Sequence, residues 1–503
     1  MKMKKKIKNN ITLLNVISNV ILQFITIISG FIIPRIILTN FGSEVNGLVS
    51  SLNQFLNYIS IFEGGLGGVV LANLYKPLYN KDKDKISSVV KTTQSFYHKI
   101  AMIFIIYTLL VGVLYPLLNN SSFSFLYIFS LTLILSVTLF VQYNFSLAYR
   151  LLLQADKKVY IVSITQILLT ILNVLLFVVV SNIYPNIHIL KIVSALVFLL
   201  QPAIFNHFVN KHYEIDKKAR VDNSLLKSRW DGFAINIAAF IHNNTDITVL
   251  TVLSNLKIVS VYSVYVLVTT GLKKLILSVS SAISPTIGHA YAKGNSEELN
   301  KKFELYEYVI FFISFFMFTV GGLLITPFVQ IYTKGITDID YNQPIFGIII
   351  VLAELMYVIR EPYVSLAYSA NKFKEIKKYG YIEALMNIVI SIILVPFYGI
   401  LGVAIGTLIS MTYRTLCQVI YLKRNIINRS LKYFITKFIS FTLISIVGII
   451  ICYKFIPFNT YNVVNFVKYG FVYSIIIFTL YLIMSIILFR TNTKYILKRK
   501  KEK

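Results

Sequence analysis

Long apolar stretches recur along the chain, separated by short polar breaks. They cover 11–38, 46–73, 93–118, 123–148, 159–181, 188–209, 230–254, 259–288, 305–332, 344–369, 379–397, 399–422, 432–456 and 465–489. A helix crosses the hydrocarbon core with about 20 predominantly apolar residues, so the pattern predicts fourteen transmembrane helices. The narrowest break is Val395–Gly402, where Pro396 and Gly399 predict a very tight turn. In span one, Pro34 predicts a break or kink, because proline lacks the backbone N–H and clashes with the preceding turn.

Charge tests the count. With the N-terminus inside, the inner segments are 1–10, 74–99, 149–158, 210–229, 289–304, 370–378, 423–437 and 490–503. These hold thirty-nine of the 49 Lys and Arg residues, and each one is basic. The outer ends and loops hold only Lys191, Lys257, Lys334, Lys454 and Lys468. A miscounted span would scramble that alternation, so the positive-inside bias places both termini in the cytoplasm of a multi-pass cell-membrane protein. The net charge of +28 is thereby read as topology and membrane-surface contact, with no nucleic acid implied.

Composition narrows the class. Apolar residues make up 56% of the 503 and charged ones 14%, with mean hydropathy +0.71. Soluble domains are less apolar, at about half of their residues, and more charged, at about a quarter, so a soluble enzyme and a disordered chain are both excluded. Cys417 and Cys452 lie in apolar runs and form no CxxC pair, and the six histidines form no metal-binding spacing, so no metal or cofactor is expected. The basic start followed by 11–38 mimics a signal peptide, but the run is too long and lacks a small-residue cleavage site.

A weak internal repeat is present. Ser43–Leu48 precedes span two, and Lys257–Tyr262 occupies the same place before span eight. Gln154–Lys158 precedes span five, and Ser369–Phe373 precedes span eleven, at nearly the same offset along the chain. The expected organisation is an N-terminal six-helix lobe (1–215), a C-terminal six-helix lobe (216–428), and an added helix pair with a basic tail (429–503). The fold class expected is an all-α membrane protein, its two bundles in parallel pseudo-repeat around a central cavity.

Polar residues inside the spans are ordered by face. Span one carries Asn15, Asn19, Gln23 and Thr26; span two carries Asn46, Ser50, Asn53, Asn57 and Ser60. Span seven carries Asn236, Asn243 and Asp246; span eight carries Tyr262, Thr269, Lys273, Ser280 and Ser284. These spacings of three, four and seven put each set on one helical face. Such faces either glue helices together or line a wet cavity. Four of them, at matched positions in two halves, favour the cavity.

Ionisable groups in a membrane are costly and demand a reason. Lys273 and Lys274 lie too deep in span eight to snorkel easily, with Lys273 on the polar face and Lys274 about 100° round it. Arg35 sits near the outer end of span one, where interfacial anchoring is the alternative. Arg414 is read equally as snorkelling, and Arg360 as a local pair with Glu361. Glu63, Asp246, Glu354 and Glu383 are the remaining acids singled out. A buried carboxylate either carries a proton or neutralises a lysine. Buried cations suit phosphate, and Asn, Ser, Gln and Tyr suit sugar hydroxyls, so a lipid diphosphate bearing an oligosaccharide matches both. The residues alone do not name the cargo.

Several segments resemble Wzx-type polysaccharide flippases. They are Phe31–Arg35, Phe41–Leu48, Phe62–Gly67, Asn243–Asp246, Val259–Tyr265 and Ala290–Asn295. Their order and spacing carry the resemblance, and no single motif is diagnostic. That family belongs to the superfamily that includes multidrug and toxic-compound extruders and the lipid II flippase. The resemblance implies alternating access, an undecaprenyl-diphosphate-linked oligosaccharide as cargo, and a role in capsule or O-antigen-like export alongside other polysaccharide-assembly proteins. It also implies a lipid groove formed by 432–489.

The expected cavity residues are Lys273, Lys274, Arg35, Asn53, Asn57, Asn243, Tyr262 and Thr269. Glu63, Asp246 and Glu354 are the candidates for coupling to H+ or Na+. A drug/cation antiporter is the nearest alternative, but its cargo would favour acids where span eight has lysines. A membrane polysaccharide polymerase or glycosyltransferase would need a larger outer loop than Thr333–Gln343.

Overall fold

The computed structural model describes residues 2–118, 122–216, 218–226, 240, 244–427, 429–458 and 461–489. Among these residues the chain is helical and contains no strand. Eleven helices are long and apolar enough to cross a membrane.

The differences from the expected spans have local causes. Spans one and two run together as α1 (Lys2–Asn57), whose backbone leaves helical geometry at Gly42, with φ 79°. That left-handed value is where glycine is favoured, so the chain bends there without a loop. Pro34 stays inside α1, so the break expected at the proline lies further on, at the glycine. Neighbouring helices make such prolines tolerable in membrane helices. Span ten is divided into α10 (Pro344–Ile359) and α11 (Glu361–Ser369), each too short to cross alone. Pro362 in the first turn of α11 offers no N–H to continue the α10 ladder. Most of span seven lies outside the described residues, which resume as helix at 244–253.

The chain divides into two compact units, Met1–Ser260 and Val261–Lys503. The first contains α1, α2 (Leu66–Asn80), α3 (Lys83–Leu118), α4 (Phe125–Val141), α5 (Leu147–Ala155), α6 (Val159–Ile183) and α7 (Ile187–His212). Helix α3 shows how the sequence divides its faces. Tyr97, Ala101, Phe104, Thr108, Val111 and Tyr115 are buried, whereas Ile103, Ile106, Leu110 and Leu114 are exposed. Both faces are apolar, and an exposed apolar stripe of this length is stable only against lipid.

The segment after α7 is strapped back onto the same unit. Ser87 and Thr92 accept the backbone N–H groups of Asp216 and Asp222, at 3.0 and 2.9 Å. Ser88 and Asn73 donate to the carbonyls of Arg220 and Leu225, at 2.9 and 2.8 Å.

The second unit holds α8 (Leu256–Ala292, from Val261 onward), α9 (Ser296–Tyr332), α10 and α11. After these come α12 (Phe373–Tyr398), α13 (Ile400–Asn425), α14 (Lys432–Phe455) and α15 (Val463–Leu488). The predicted tight turn is a single residue, Gly399, at φ 54° between α12 and α13. The two helices then approach so closely that a Cβ on Gly402 would lie 2.6 Å from the Leu394 carbonyl carbon. The last pair docks on α9 through rings, among them Phe315–Phe441 at 5.4 Å and Phe312–Phe478 at 5.7 Å. Beside these rings, Ser445 lies 3.0 Å from Thr319 and 2.5 Å from the Tyr481 hydroxyl.

Two helix ends share their backbone detail. At the end of α5 the N–H groups of Asp156, Lys157 and Lys158 donate to Leu152, Gln154 and Leu153. At the end of α11 those of Ala370, Asn371 and Lys372 donate to Leu366, Tyr368 and Ala367. Lys157 and Asn371 both adopt left-handed backbone, at φ 61° and 58°. Each of these pairs is separated along the chain by the same interval as Ser43 and Lys257. Beside the Lys157 turn, Tyr213 donates to Asp156 at 2.6 Å, and Lys158 pairs with the same carboxylate at 2.8 Å. Burial pushes the Tyr213 phenol well above its ordinary value.

Candidate charge-network site

The densest set of buried charges lies within the second unit. Lys273, on α8, donates to Glu354 Oε1 on α10 at 3.0 Å. The same lysine lies 4.8 Å from the ring centre of Tyr357, one turn along α10. Arg360, in the break before α11, lies 4.4 Å from that ring. Arg360 then donates to Glu383 on α12 at 2.7 Å, and Arg414 on α13 pairs with the other oxygen of Glu383. Four helices and one helix break thus supply an alternating chain: Glu354, Lys273, Tyr357, Arg360, Glu383, Arg414.

The break at Pro362 is what frees Arg360 to point at α12. The local pair expected between Arg360 and Glu361 is replaced by a hydrogen bond to Glu383, although Glu361 remains within electrostatic range of Arg360 and Arg414. Arg414, expected equally as a snorkelling residue, is tied down at 12% exposure. Glu383 is fully buried, and a carboxylate there is tolerable only because two guanidiniums answer it. Glu354 Oε2 is buried and has no hydrogen-bond partner among the described residues. One oxygen of this carboxylate is therefore available to a proton or cation while the other holds Lys273.

The remaining span-eight residues are placed differently. Thr269 is fully buried, Tyr262 packs on Phe346 at 5.9 Å, and Lys274 is exposed. Ser280 bonds the Tyr306 hydroxyl and Ser284 bonds Ser365, both at 2.5 Å, so much of this stripe joins helices within the unit.

In the first unit, Asn53 and Asn57 are exposed and Arg35 is half-buried. Asn243 lies outside the described residues. The adjacent face of α1 continues into a short 3-10 turn (Tyr58–Glu63) and bonds the helix at 244–253. Gln54 reaches Asn244 at 2.5 Å, Ser51 reaches Thr251 at 2.7 Å, and Tyr58 bonds Thr248. Asp246 is buried within electrostatic range of Tyr58. Glu63 accepts from the hydroxyls of Tyr97 and Tyr143, both at 3.3 Å. Tyr143 lies in a widened π-type turn, Gln142–Ser146, that re-aims the end of α4. The three acids expected to couple an ion therefore sit in three separate settings, and Glu354 holds a lysine.

A second buried cluster is one that sequence reasoning misses. Glu307 on α9 is fully buried and meets Lys437 at 2.5 Å, Arg429 at 2.8 Å and the Tyr363 hydroxyl. By sequence Lys437 counts as an inner-loop charge, yet it is only 2% exposed. The available signal was an unpaired acid just inside the apolar run 305–332.

No family model matches the sequence, and no curated protein matches it. Solved structures do match. The lipid II flippase MurJ, in an inward closed conformation, aligns with TM-score 0.72 at 18% identity, over 95% of this chain and 99% of MurJ. An inward-facing multidrug-resistance MATE transporter of the MOP superfamily aligns at 0.60 and 15% identity, over 79% of this chain and 94% of its own. The fold is the one seen in these two structures. A eukaryotic MATE transporter aligns at 0.58 and 13% identity, over 82% and 95%. The matched proteins are transporters and a flippase. The two MATE structures are almost wholly covered yet leave about a fifth of this chain unmatched, whereas MurJ accounts for nearly all of it.

Proposed function

We propose that this protein is a flippase that moves a diphosphate-linked lipid oligosaccharide from the cytoplasmic to the outer leaflet of a bacterial cell membrane, for surface polysaccharide assembly. The observation that carries the reading is full-length agreement with the MurJ fold, which the shorter MATE matches do not reach. The proposed arrangement is fourteen crossings with both termini cytoplasmic, and alternating access moves the glycan while the lipid tail stays in the bilayer. Undecaprenyl is the lipid implied by the sequence resemblance.

The charge network suggests how cargo and ion are linked. With Glu354 ionised, Lys273 is neutralised and offers little to a phosphate. A proton or Na+ taken by the open oxygen of Glu354 weakens that hold and releases Lys273 to the diphosphate. Arg35 and Lys274 remain candidates for further contacts with the diphosphate. Asn53, Asn57 and Asn243 are candidates for the glycan, and Glu63 and Asp246 are alternative coupling groups.

The test is translocation of lipid-linked glycan in proteoliposomes, with an imposed pH or Na+ gradient. Lys273→Ala is expected to slow transport at least about tenfold, the loss that removal of one charge-assisted hydrogen bond produces. Glu354→Gln is expected to abolish gradient dependence while preserving cargo binding. Transport unchanged in both variants overturns the assignment, and export of organic cations by the wild type in place of lipid-linked glycan identifies an antiporter.

A further inference from the structure

The cluster around Glu307 is more than an ion pair. Beside it lies a small, partly open cleft, lined in part by Phe303, Glu307, Tyr363, Lys423, Arg429 and Tyr433. The cleft belongs entirely to the second unit and sits where the connection from α13 enters α14. Its charge is unbalanced. Lys437 and Arg429 both pair with Glu307, and Lys423 lines the wall as a third cation. The next acid, Glu304, lies within electrostatic range of Lys437. Positive charge is left over even if Glu304 is counted.

Arg429 is also held in a receiving posture. Its Nη1 bonds Glu307 at 2.8 Å, and its guanidinium lies 4.8 Å from the Tyr433 ring centre and 5.7 Å from that of Phe303. Its Nη2 is buried and has no hydrogen-bond partner among the described residues. A buried guanidinium nitrogen without an acceptor is costly, and the group that removes the cost is an oxyanion with several lone pairs. The Tyr433 and Phe303 rings beside the guanidinium present apolar surface next to that anion position. The basic segment 423–437 is predicted to face the cytoplasm, at headgroup level.

We propose that this cleft binds a phosphate group through Arg429 and Lys423, carried either by a phospholipid of the inner leaflet or by free phosphate. Tyr433 lies at the start of the 432–489 stretch expected to form a lipid groove, but Arg429 and Lys423 are not among the residues proposed to contact the glycan lipid.

Native mass spectrometry of the full chain in detergent tests this, with dioleoyl phosphatidylglycerol, dioleoylglycerol and inorganic phosphate as separate probes. Arg429→Lys keeps a cation on Glu307 but loses the second guanidinium nitrogen, and Lys423→Gln leaves the buried cluster intact. The expected result is retention of phosphatidylglycerol but not dioleoylglycerol, with each variant about tenfold weaker and its thermal midpoint unchanged. Binding of inorganic phosphate that is lost in the same variants, without lipid retention, supports the site and assigns it to the free anion. Equal retention of the two lipids without phosphate binding, or wild-type binding by both variants, overturns the proposal.

Discussion

Replacing Glu383 by Gln removes one charge from the centre of the Arg360–Glu383–Arg414 set while preserving side-chain shape. Glu383 is fully buried and accepts from both guanidiniums. A hydrogen bond to a charged group contributes about 1.5–3 kcal/mol, so two give roughly 3–6 kcal/mol. Breaking a buried pair costs about 3–5 kcal/mol, because the surviving charge is left uncompensated. The two ranges agree. Glutamine keeps one acceptor oxygen but turns an N–H₂ toward the other arginine, so the expected loss is about 3–5 kcal/mol. For a unit of this size each kcal/mol moves the midpoint by about 2–4 °C, which places the drop at roughly 6–20 °C. The assay is thermal unfolding of detergent-purified protein, followed by fluorescence-detected size exclusion. The triple variant Arg360→Met, Glu383→Leu, Arg414→Met should recover most of the loss, since apolar replacement of a whole buried ion set is often neutral. A midpoint for Glu383→Gln within about 1 °C of wild type would refute the claim that this carboxylate holds the two arginines.

Three further outcomes are expected. Gly402→Ala should lower the thermal midpoint by several degrees, because its Cβ would meet the backbone of Leu394; Gly271→Ala, with nothing within 4 Å, should be neutral or slightly stabilising in the same scan. Lys157→Gly should stabilise by up to about 1 kcal/mol and Asn371→Gly by less, measured by urea midpoints, because asparagine tolerates left-handed backbone better than lysine. In the reconstituted flux assay, Glu354→Gln with Lys273→Met should restore thermal stability relative to Lys273→Met alone, without restoring gradient dependence.

Much of the architecture was legible from the chain. Apolar run length located the helices, and Pro396 with Gly399 marked the tightest turn, because those signals act over a few residues. Similar loop chemistry is matched locally by left-handed turns at Lys157 and Asn371. Pro34 misleads because a proline inside a helix can be tolerated by its packing, while the departure at Gly42 needs only a missing Cβ. The buried charges themselves stand out in the sequence, but their pairings do not. Arg360 and Glu383 are 23 residues apart, Lys273 and Glu354 are 81, and Glu307 and Lys437 are 130. No periodicity connects such distances; only packing does. Lys437 reads as a loop residue because a lysine near a span boundary satisfies the topology rule whether or not it is buried.

The one-residue connection at Gly399 limits how membrane sidedness can be mapped. An epitope, protease site or reporter inserted between Tyr398 and Ile400 would have to prise apart two helices in backbone contact. A negative result there would report misfolding, not location. The stretch from Thr333 to Gln343, between α9 and α10, offers irregular backbone and exposed Lys334 and Asp338. Reporter fusions belong there, and the sidedness they return fixes that of the hairpin by counting helices.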